Sequence, residues 1–474
     1  MSDAAARPSA LSPSAAAPGA GADMPAADGA GNGAAPPLPS LLRAWSVVAI
    51  LSLAAIVSYI DRQVLNLLVE PIKADLGLTD VEISLLQGFS FALLYAVLAI
   101  PLAWVADRSN RKWVILGGLI CWSGATFMSG FAGGFAILFL ARMLVGIGEA
   151  TLSPAGFSMI ADYFEKARLP AALSVFTGSG FIGSGLALVI GGALYASLEA
   201  SGPITLPFGT FKPWQMTFFA IASLSVPLFV LLLIFVREPA RQPDTLAPPP
   251  HENPSAFEIL GFLGAHARVY LPLFFGFSCF AAAQFGVGAW SPSFFIRVHG
   301  WTQFEVGQAL GPVVMVTGPL GVIAGGFLAE RLLLRGMRDA TLKLSMGAII
   351  CALPFAVAFP LVEGDGLSLA LLAAVLAFGT VPFGAGVATF PLITPNRMRA
   401  QVIAVYLLVA NLLGYSAGPI LIAWLTDAVF ADPAAIDLSL AIAAPAVMAA
   451  GLVLIAAALA PYRQMLEAAE TPEN

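Results

Sequence analysis

Four ionisable residues lie deep within strongly apolar segments of this 474-residue chain: Asp61 and Arg62 on one segment, Arg142 and Glu149 on another. An ionisable side chain inside a bilayer costs at least about 2.5–3.5 kcal/mol, so each one requires a partner or a function. Desolvation and a neighbouring arginine act on a buried carboxylate in opposite directions, which leaves it able to exchange a proton. These four residues are therefore candidates for proton exchange linked to a change of ion pairing.

Helix geometry predicts how the four side chains pair. Adjacent residues on a helix point about 100° apart, so Asp61 and Arg62 neutralise each other poorly. At a rise of about 1.5 Å per residue, Asp61 and Arg142 reach similar depths in an apolar core about 30 Å thick. We predict an Asp61–Arg142 pair, with Glu149 about 10 Å deeper and accessible to Arg62. The alternative is a static salt-bridge network that joins two helices, although buried ion pairs often add little net stability.

The elements that position these residues are predicted to be membrane-spanning helices. The chain is 59% hydrophobic and 11% charged, with a mean hydropathy of +0.87, whereas a soluble domain carries about a quarter charged residues. Twelve apolar runs have the length of about 20 residues that a spanning helix needs. The predicted spans are 44–70, 81–106, 113–132, 135–161, 170–198, 214–236, 269–297, 303–329, 341–361, 367–394, 400–427 and 437–461. The expected fold class is thus an all-α integral membrane protein.

The spans divide into two similar halves. "LAWVADRSNRK" after the second span is echoed by "GGFLAERLLLR" after the eighth, which is the second span of the second half. Residues 1–40 are rich in Ala, Pro, Gly and Ser and are predicted to be a disordered tail. The predicted domains are a six-helix bundle over 41–236, a polar, Pro-rich linker over 237–268, a second six-helix bundle over 269–463 and a tail over 464–474. "SAFEILGFLGA" within the linker is predicted to form a short interfacial helix.

The distribution of Lys and Arg predicts the orientation. With the N-terminus inside, 17 of the 22 basic residues fall on the inner side. Lys73, Lys212 and Arg297 fall outside, and Arg62 and Arg142 lie within spans. The sequence therefore predicts a multi-pass protein of the plasma (inner) membrane with both termini cytoplasmic.

Four motifs carry a family resemblance: "SYIDR" on the first span, "ADRSNRK" after the second, and "ARMLVGIGEA" with "IADYF" on the fourth. They resemble the major facilitator superfamily, and most closely its spinster subfamily. The resemblance implies the major facilitator fold of two six-helix bundles and transport by alternating access. It also implies export of a sphingolipid or lysophospholipid with proton coupling at Asp61, Arg142 and Glu149. The charge argument adds Arg62 to this proton-coupling set.

Charged residues at the inner ends of the second and eighth spans are candidates for a cytoplasmic gate. The predicted gate residues are Asp107, Arg108, Arg111, Glu330 and Arg331. An aspartate there can interact with a neighbouring helix N-terminus, and the arginines can pair with acids, so that one conformation is held closed. In the alternative interpretation, the basic residues only set the topology.

The second half contains no deep charge and offers only amides, hydroxyls and aromatic rings. A cavity that is charged on one wall and apolar on the other suits an amphiphile with a charged or zwitterionic head group. Each polar residue has an alternative role in an interhelical hydrogen bond. The predicted substrate-binding residues are Tyr59, Gln284, Phe285, Trp290, Asn411 and Tyr415.

The leading prediction is a proton-coupled symporter or antiporter for a lysophospholipid-type or sphingolipid-type lipid. A carrier of small organic anions, such as hexuronate-type acids, is the alternative, because Arg62 or Arg142 could bind a carboxylate. An integral-membrane lipid-modifying enzyme is disfavoured, because the sequence offers no metal-ligand cluster and no Ser/His/Asp set. Cys121, Cys279 and Cys351 are isolated in apolar runs, while His251, His266 and His299 lie in or near loops. We therefore expect a monomer with no enzymatic activity, no metal, no cofactor and no nucleic-acid partner, whose partners are its substrate and protons.

Overall fold

The computed structural model describes residues 39–165, 167–207, 209–241, 255–386 and 388–470. Within these ranges the chain forms eighteen α-helices and one small hairpin. Eleven helical segments of the described chain are long and apolar enough to cross a membrane. The all-α membrane architecture is thus confirmed, whereas most of the predicted N-terminal tail lies outside the described residues.

The first half contains spans one to six. Its elements are α1 (Leu41–Leu67), α2 (Val69–Leu76), α3 (Asp80–Ser84), α4 (Ser90–Arg108), α5 (Arg111–Ser129), α6 (Phe135–Glu149), α7 (Leu152–Tyr163), α8 (Leu169–Ser201), β1 (Ile204–Leu206), β2 (Gly209–Phe211), α9 (Pro213–Ser223) and α10 (Ser225–Phe235). A π-helical turn over Leu85–Phe89 joins α3 to α4, and β1 pairs antiparallel with β2. Helix α5 occupies the predicted third span and completes the set of twelve; its first two residues are charged, which lowers its mean hydropathy.

The second half contains the remaining spans. Its helices are α11 (Ala256–Ala265), α12 (Ala267–Arg297), α13 (Gln303–Leu334), α14 (Ala340–Ala358), α15 (Asp365–Ala385), α16 (Thr389–Ile393), α17 (Arg399–Trp424) and α18 (Ile436–Glu470). Short 3-10 turns at Asn396–Met398 and Pro433–Ala435 and a π-helical turn at Leu425–Phe430 join them. Helix α11 lies where the interfacial helix was predicted, and Ser255 and Glu258 form a capping box at its start. Helix α18 continues to Glu470, beyond the predicted boundary at residue 463.

The two ends of the bundle pack differently. We call the end where α1 begins and α18 ends the termini face, and the opposite end the distal face. One apolar core joins the distal part of the first half, including Val64, Ile72 and Leu86, to the helices of the second half. A second core, which includes Val48, Trp122 and residues of α7 and α10, belongs to the first half alone. The halves are therefore packed together at the distal face and have separate cores toward the termini face.

Glycines permit the close contact between the halves at the distal face. A Cβ on Gly192 of α8 would lie 2.6 Å from the Gln303 carbonyl oxygen of α13, and one on Gly307 of α13 would collide with the Leu188 carbonyl. Small residues let helix backbones approach in this way. The glycine-rich fifth span thus forms part of the distal contact.

Candidate functional site

The glycines of "ARMLVGIGEA" bring helix α6 close to its neighbours. A Cβ on Gly146 would lie 2.5 Å from the Phe91 carbonyl oxygen of α4, and one on Gly148 would lie 2.6 Å from the Trp122 amide nitrogen of α5. No side chain larger than hydrogen fits at either position without a backbone shift. Because α6 packs this tightly, its last residue, Glu149, reaches the charged segment of α1.

Asp61, Arg62, Arg142 and Glu149 form one buried cluster, with exposed fractions of 0%, 9%, 1% and 2%. Arg62 forms an ion pair with Glu149. Its Nε also donates a hydrogen bond to the same carboxylate oxygen, Oε2, over 3.0 Å. The other oxygen of Glu149, Oε1, is buried without a hydrogen-bond partner. The Arg62–Glu149 contact, which the sequence left open, is thus the principal ion pair of the cluster.

The predicted Asp61–Arg142 ion pair is wrong. Arg142 donates instead to two main-chain carbonyls of α1: Nη1 to the Asp61 oxygen and Nη2 to the Arg62 oxygen, each over 3.1 Å. Matching the depths of two residues fixes their positions along the helix axes but not around them. Arg142 therefore binds the backbone of α1 rather than the side chain of Asp61.

The carboxylate of Asp61 has no partner. Both of its oxygens are buried without a hydrogen bond, and its electrostatic neighbours are Glu149, Arg142 and the Thr126 hydroxyl of α5. An ionised carboxylate that accepts no hydrogen bond is costly to bury. Asp61 differs in this respect from Glu149, whose carboxylate is held by Arg62.

Aromatic rings from both halves surround the guanidinium of Arg62. Its Cζ lies 4.1 Å from the ring centroid of Phe91, 4.8 Å from Tyr59, and 5.7 Å from both Tyr95 and Tyr415. Such cation–π contacts stabilise a buried cation. Nη1 also donates to the Tyr415 hydroxyl over 3.2 Å. Because Tyr415 belongs to α17, Arg62 connects the charged first half to the second half.

The structure groups three of the predicted substrate-binding residues around Arg62. Tyr59 and Tyr415 contact it directly, and Phe285 stacks on Tyr415 with ring centroids 3.9 Å apart. Asn411 lies one helical turn before Tyr415 on α17 and is partly exposed. The amide of Gln284 instead packs against Gly379 of α15 and is buried.

Trp290 does not line an accessible wall, contrary to the prediction. It is fully buried, its Nε1 donates to the Pro419 carbonyl over 3.0 Å, and its ring lies 5.4 Å from the Arg297 guanidinium. Five residues separate it from Phe285, which places it about 7.5 Å farther along the helix. Trp290 therefore belongs to the closed distal contact.

Sequence reasoning missed the two aromatic residues of α4 that lie beside Arg62. Phe91 and Tyr95 stack on each other with centroids 5.1 Å apart, as residues four apart on a helix can. An aromatic pair at this spacing on a span next to the charged one was the available signal. Aromatic surface beside Arg62 therefore comes from three helices: α1, α4 and α17.

Sequence reasoning also missed an ion-pair cluster at the distal face, which we call the distal clasp: Glu70, Lys73, Asp80 and Arg297. Arg297 of α12 donates through Nε to Glu70 over 2.8 Å, and through Nη1 and Nη2 to the two oxygens of Asp80 over 2.7 and 2.8 Å. Lys73 pairs with the same aspartate. In the sequence-based prediction, Lys73 and Arg297 served only to assign the membrane topology. Lys73 binds an acid of its own half, whereas Arg297 binds acids of the opposite half, a pairing that no local sequence pattern indicates.

Further hydrogen bonds between the halves lie beside the clasp. The Val81 amide donates to Asp427 over 2.8 Å, and the Ser84 hydroxyl donates to the Pro419 carbonyl over 2.9 Å. Both join α3 to the end of α17. The distal face is thus closed by charge, by hydrogen bonds and by glycine packing.

The predicted gate residues at the termini face do not join the two halves. Arg111 pairs with Asp162 and with Glu238, all in or next to the first half. The guanidinium of Arg108 stacks over the Trp104 ring at 4.1 Å, and the Asp107 carbonyl accepts a hydrogen bond from Arg241. In the second half, Glu330 and Arg331 are exposed.

Among the described residues, hydrogen bonds and ion pairs join the halves at the distal face and at Arg62. Gln87 and Gln308 contribute two of them, through main-chain carbonyls of the opposite half. The described residues also contain no cluster of three side chains suited to a metal ion. The geometry is that of a two-half protein closed at one end around a buried cation.

Comparisons with known proteins agree with this geometry. Residues 51–419 match the Major Facilitator Superfamily. An MFS-type efflux pump from Mycolicibacterium smegmatis is 31% identical over 391 residues, covering 82% of this chain and 86% of the pump. A sphingosine-1-phosphate transporter from Mus musculus is 28% identical, covering 80% of this chain and 69% of that protein. A hexuronate transporter from Bacillus subtilis is 27% identical, covering 60% and 64%.

The fold also matches a solved structure. A bacterial homologue of the human lysosomal transporter spinster, in an inward-facing and unoccupied conformation, aligns with a TM-score of 0.74 and 25% identity. The alignment covers 90% of this chain and 98% of the homologue. The resemblance to spinster proteins drawn from the four motifs is thus confirmed.

Proposed function

Since this chain belongs to the Major Facilitator Superfamily and is a membrane transporter rather than an enzyme, we propose that it moves an amphiphilic lipid by proton-coupled alternating access. The observation that carries the proposal is the position of Arg62. It is bound on one side by the Glu149 carboxylate and on the other by Tyr415 of the opposite half. A change in the charge of Glu149 therefore acts directly on a contact between the halves.

Proton coupling follows from competition for one cation. Protonation of Glu149 removes the negative charge that holds Arg62, and the anionic head group of a substrate can then take its place. Head-group binding and protonation of Glu149 therefore favour each other, as linkage requires of two ligands that bind the same state. Asp61, which has no hydrogen-bond partner of its own, is the second proton-exchanging group. Arg142 holds the α1 backbone at this level and keeps both acids in place.

The contacts between the halves support an inward-facing state. They close the distal face, while the contacts described for Arg111 at the termini face are with Asp162 of the first half and with Glu238 at the start of the linker. If both termini are cytoplasmic, as the distribution of basic residues predicts, the open side is the cytoplasm. Transport then requires the distal clasp to open and the termini face to close.

The surroundings of Arg62 support an amphiphilic substrate. The guanidinium offers charge-assisted hydrogen bonds to a phosphate or phosphocholine-type head group. Tyr59, Phe91, Tyr415 and Phe285 provide apolar surface next to it. A lysophospholipid or a phosphorylated sphingoid base combines these two properties. The similarity to a sphingosine-1-phosphate transporter agrees with this choice.

A small organic anion is the second candidate, favoured by the similarity to a hexuronate transporter. Its carboxylate would bind Arg62 without using the aromatic surface. Substrates that carry the same charge but lack an acyl chain therefore distinguish the two candidates.

Uptake into proteoliposomes with and without a pH gradient tests the proposal. We expect labelled lysophospholipid or sphingosine-1-phosphate to accumulate when a gradient is imposed and hexuronate not to accumulate. Asp61→Asn and Glu149→Gln should abolish accumulation against a concentration gradient. Asp75→Asn is the control, because Asp75 pairs with Lys212 of the same half.

Two results would contradict parts of the proposal separately. Accumulation of hexuronate alone would refute the lipid substrate and leave proton coupling intact. Uphill transport by both acid variants at the wild-type rate would refute proton coupling for either substrate.

A further inference from the structure

Helix α11 of the linker presents apolar surface on two sides. Ile259 and Leu263 are buried against the second half, whereas Phe257 is 85% exposed and Leu260 is 61% exposed. Gly261 and Gly264 continue the outward stripe at helical spacing, and a Cβ at either glycine would meet no atom within 4 Å. One apolar side of α11 is therefore covered by the protein and the other is not.

The position of α11 identifies what covers its outward side. It ends at Ala265, and α12, a spanning helix of 31 residues, begins at Ala267. A helix joined by a single residue to the start of a span lies at the level of the bilayer surface. An amphipathic helix in that plane buries its apolar side chains at the boundary between head groups and acyl chains. We therefore expect the bilayer to contact Phe257 and Leu260.

A cavity of about 550 Å³ lies beside this junction. It is lined by the segment from Gly264 to Val269 and by Pro461, Gln464 and Met465 of α18. The lining combines cationic and neutral polar groups: Arg268, the His266 ring, the Gln464 amide and the first turn of α12. The guanidinium of Arg268 can form charge-assisted hydrogen bonds to a phosphate there.

Arg268 is the permanently charged residue of this lining. It is exposed, and no described residue forms an ion pair or hydrogen bond with it, in contrast to Arg463 on the same face, which is bound to Asp339. His266 binds the Phe262 carbonyl through Nδ1 over 2.9 Å, so its other ring nitrogen remains available. The described lining of the cavity therefore contains a cation and no acidic side chain.

We propose that the cavity between α11, α12 and α18 binds the head group of an anionic phospholipid from the leaflet at the termini face. Arg268 contacts the phosphate. Phe257 and Leu260 insert beside the acyl chains of the same leaflet. The site is separate from Arg62 and does not depend on which substrate the protein transports.

Native mass spectrometry of the full-length protein with added lipids tests this site. We expect phosphatidylglycerol to be retained in preference to phosphatidylcholine. Arg268→Gln should weaken phosphatidylglycerol binding by about fivefold to about tenfold, as expected for one basic residue at an anionic surface. Phe257→Ser combined with Leu260→Ser should weaken binding of both lipids. Arg335→Gln is the matched control, since Arg335 is also exposed on the same face but does not line the cavity.

Three outcomes would overturn the proposal. These are equal retention of the two lipids, equal loss of phosphatidylglycerol in Arg268→Gln and Arg335→Gln, and displacement of the lipid by millimolar inorganic phosphate. The last result would assign the cavity to a free anion instead of a lipid. Thermal unfolding of each variant verifies that the protein remains folded, and Arg268 is exposed, so its replacement should leave the fold intact.

Discussion

Removing the negative charge of Asp80 should open the distal face. Asp80 is fully buried and binds Arg297 of the opposite half as well as Lys73. The substitution Asp80→Asn leaves the shape of the side chain almost unchanged but removes its charge. Since Arg297 is then held mainly by Glu70, we expect the closed distal state to lose much of its advantage.

The size of the effect follows from the hydrogen bonds that are lost. Arg297 donates two bonds to Asp80, over 2.7 and 2.8 Å, and a hydrogen bond to a charged group contributes about 1.5–3 kcal/mol. Asparagine retains one oxygen acceptor, so the closed state should lose about 2–4 kcal/mol. This corresponds to a change of about 30-fold to about 900-fold in the ratio of closed to open molecules.

Cysteine labelling measures this shift. Ser84 is fully buried next to the clasp and donates to the Pro419 carbonyl, so Ser84→Cys, with the native cysteines replaced, reports opening of the distal face. We expect a membrane-impermeant maleimide to react slowly in this background and at least about tenfold faster when Asp80→Asn is added.

Asp75→Asn provides the matched control. Asp75 also forms an ion pair at the distal face, but with Lys212 of the same half, and it accepts a hydrogen bond from Trp214, also of that half. The labelling rate should therefore not change. The reasoning is refuted if Asp80→Asn leaves the rate unchanged, or if both variants raise it equally.

Three further predictions concern the charged cluster, the packing of α6 and the termini face. Substrate binding by the wild type should weaken as the pH rises, because a charged Glu149 competes with the substrate for Arg62. In Glu149→Gln, substrate binding, measured by a ligand-induced fluorescence change, should lose this pH dependence. If the variant keeps the pH dependence, the competition is contradicted. Gly148→Ala should lower the free energy of unfolding by about 1–3 kcal/mol through overpacking. Gly117→Ala should leave it unchanged, because a Cβ there meets no atom within 4 Å. Thermal unfolding measures both variants, and equal effects would refute the packing argument. Burial raises the pKa of Asp339, but hydrogen bonds from Lys343 and Arg463 outweigh it and hold the pKa below its ordinary value. The stability from this contact is present above the ordinary pKa of about 3.9 and is lost only as the pH falls through the lowered pKa. Asp339→Asn should therefore lower the free energy of unfolding equally at mildly acidic and at neutral pH. A loss at only one of these pH values would contradict the lowered pKa.

The sequence predicted the features that depend on composition and spacing. Apolar runs of spanning length located the helices, and the four ionisable residues within them located the charged cluster. These features are local, so one sequence is sufficient to infer them.

The features that the sequence did not predict depend on rotation about helix axes and on the conformational state. Depth along the helix suggested that Arg142 binds Asp61, but the orientation of α6 directs it to the α1 backbone. Trp290 was assigned to the cavity, although at the distal level the halves are closed around it. The distal clasp exists only when span ends of opposite halves meet, which no local pattern encodes.

Proton movement that accompanies substrate binding tests the central claim most directly. Proteoliposomes with an internal pH-sensitive dye should report proton flux when lysophospholipid or sphingosine-1-phosphate is added to the wild type. The flux should be absent in Glu149→Gln and unchanged in Asp75→Asn. Substrate transport by the wild type without any proton flux, or an equal flux in Glu149→Gln, would contradict the assignment of Arg62 and Glu149 as the coupling pair.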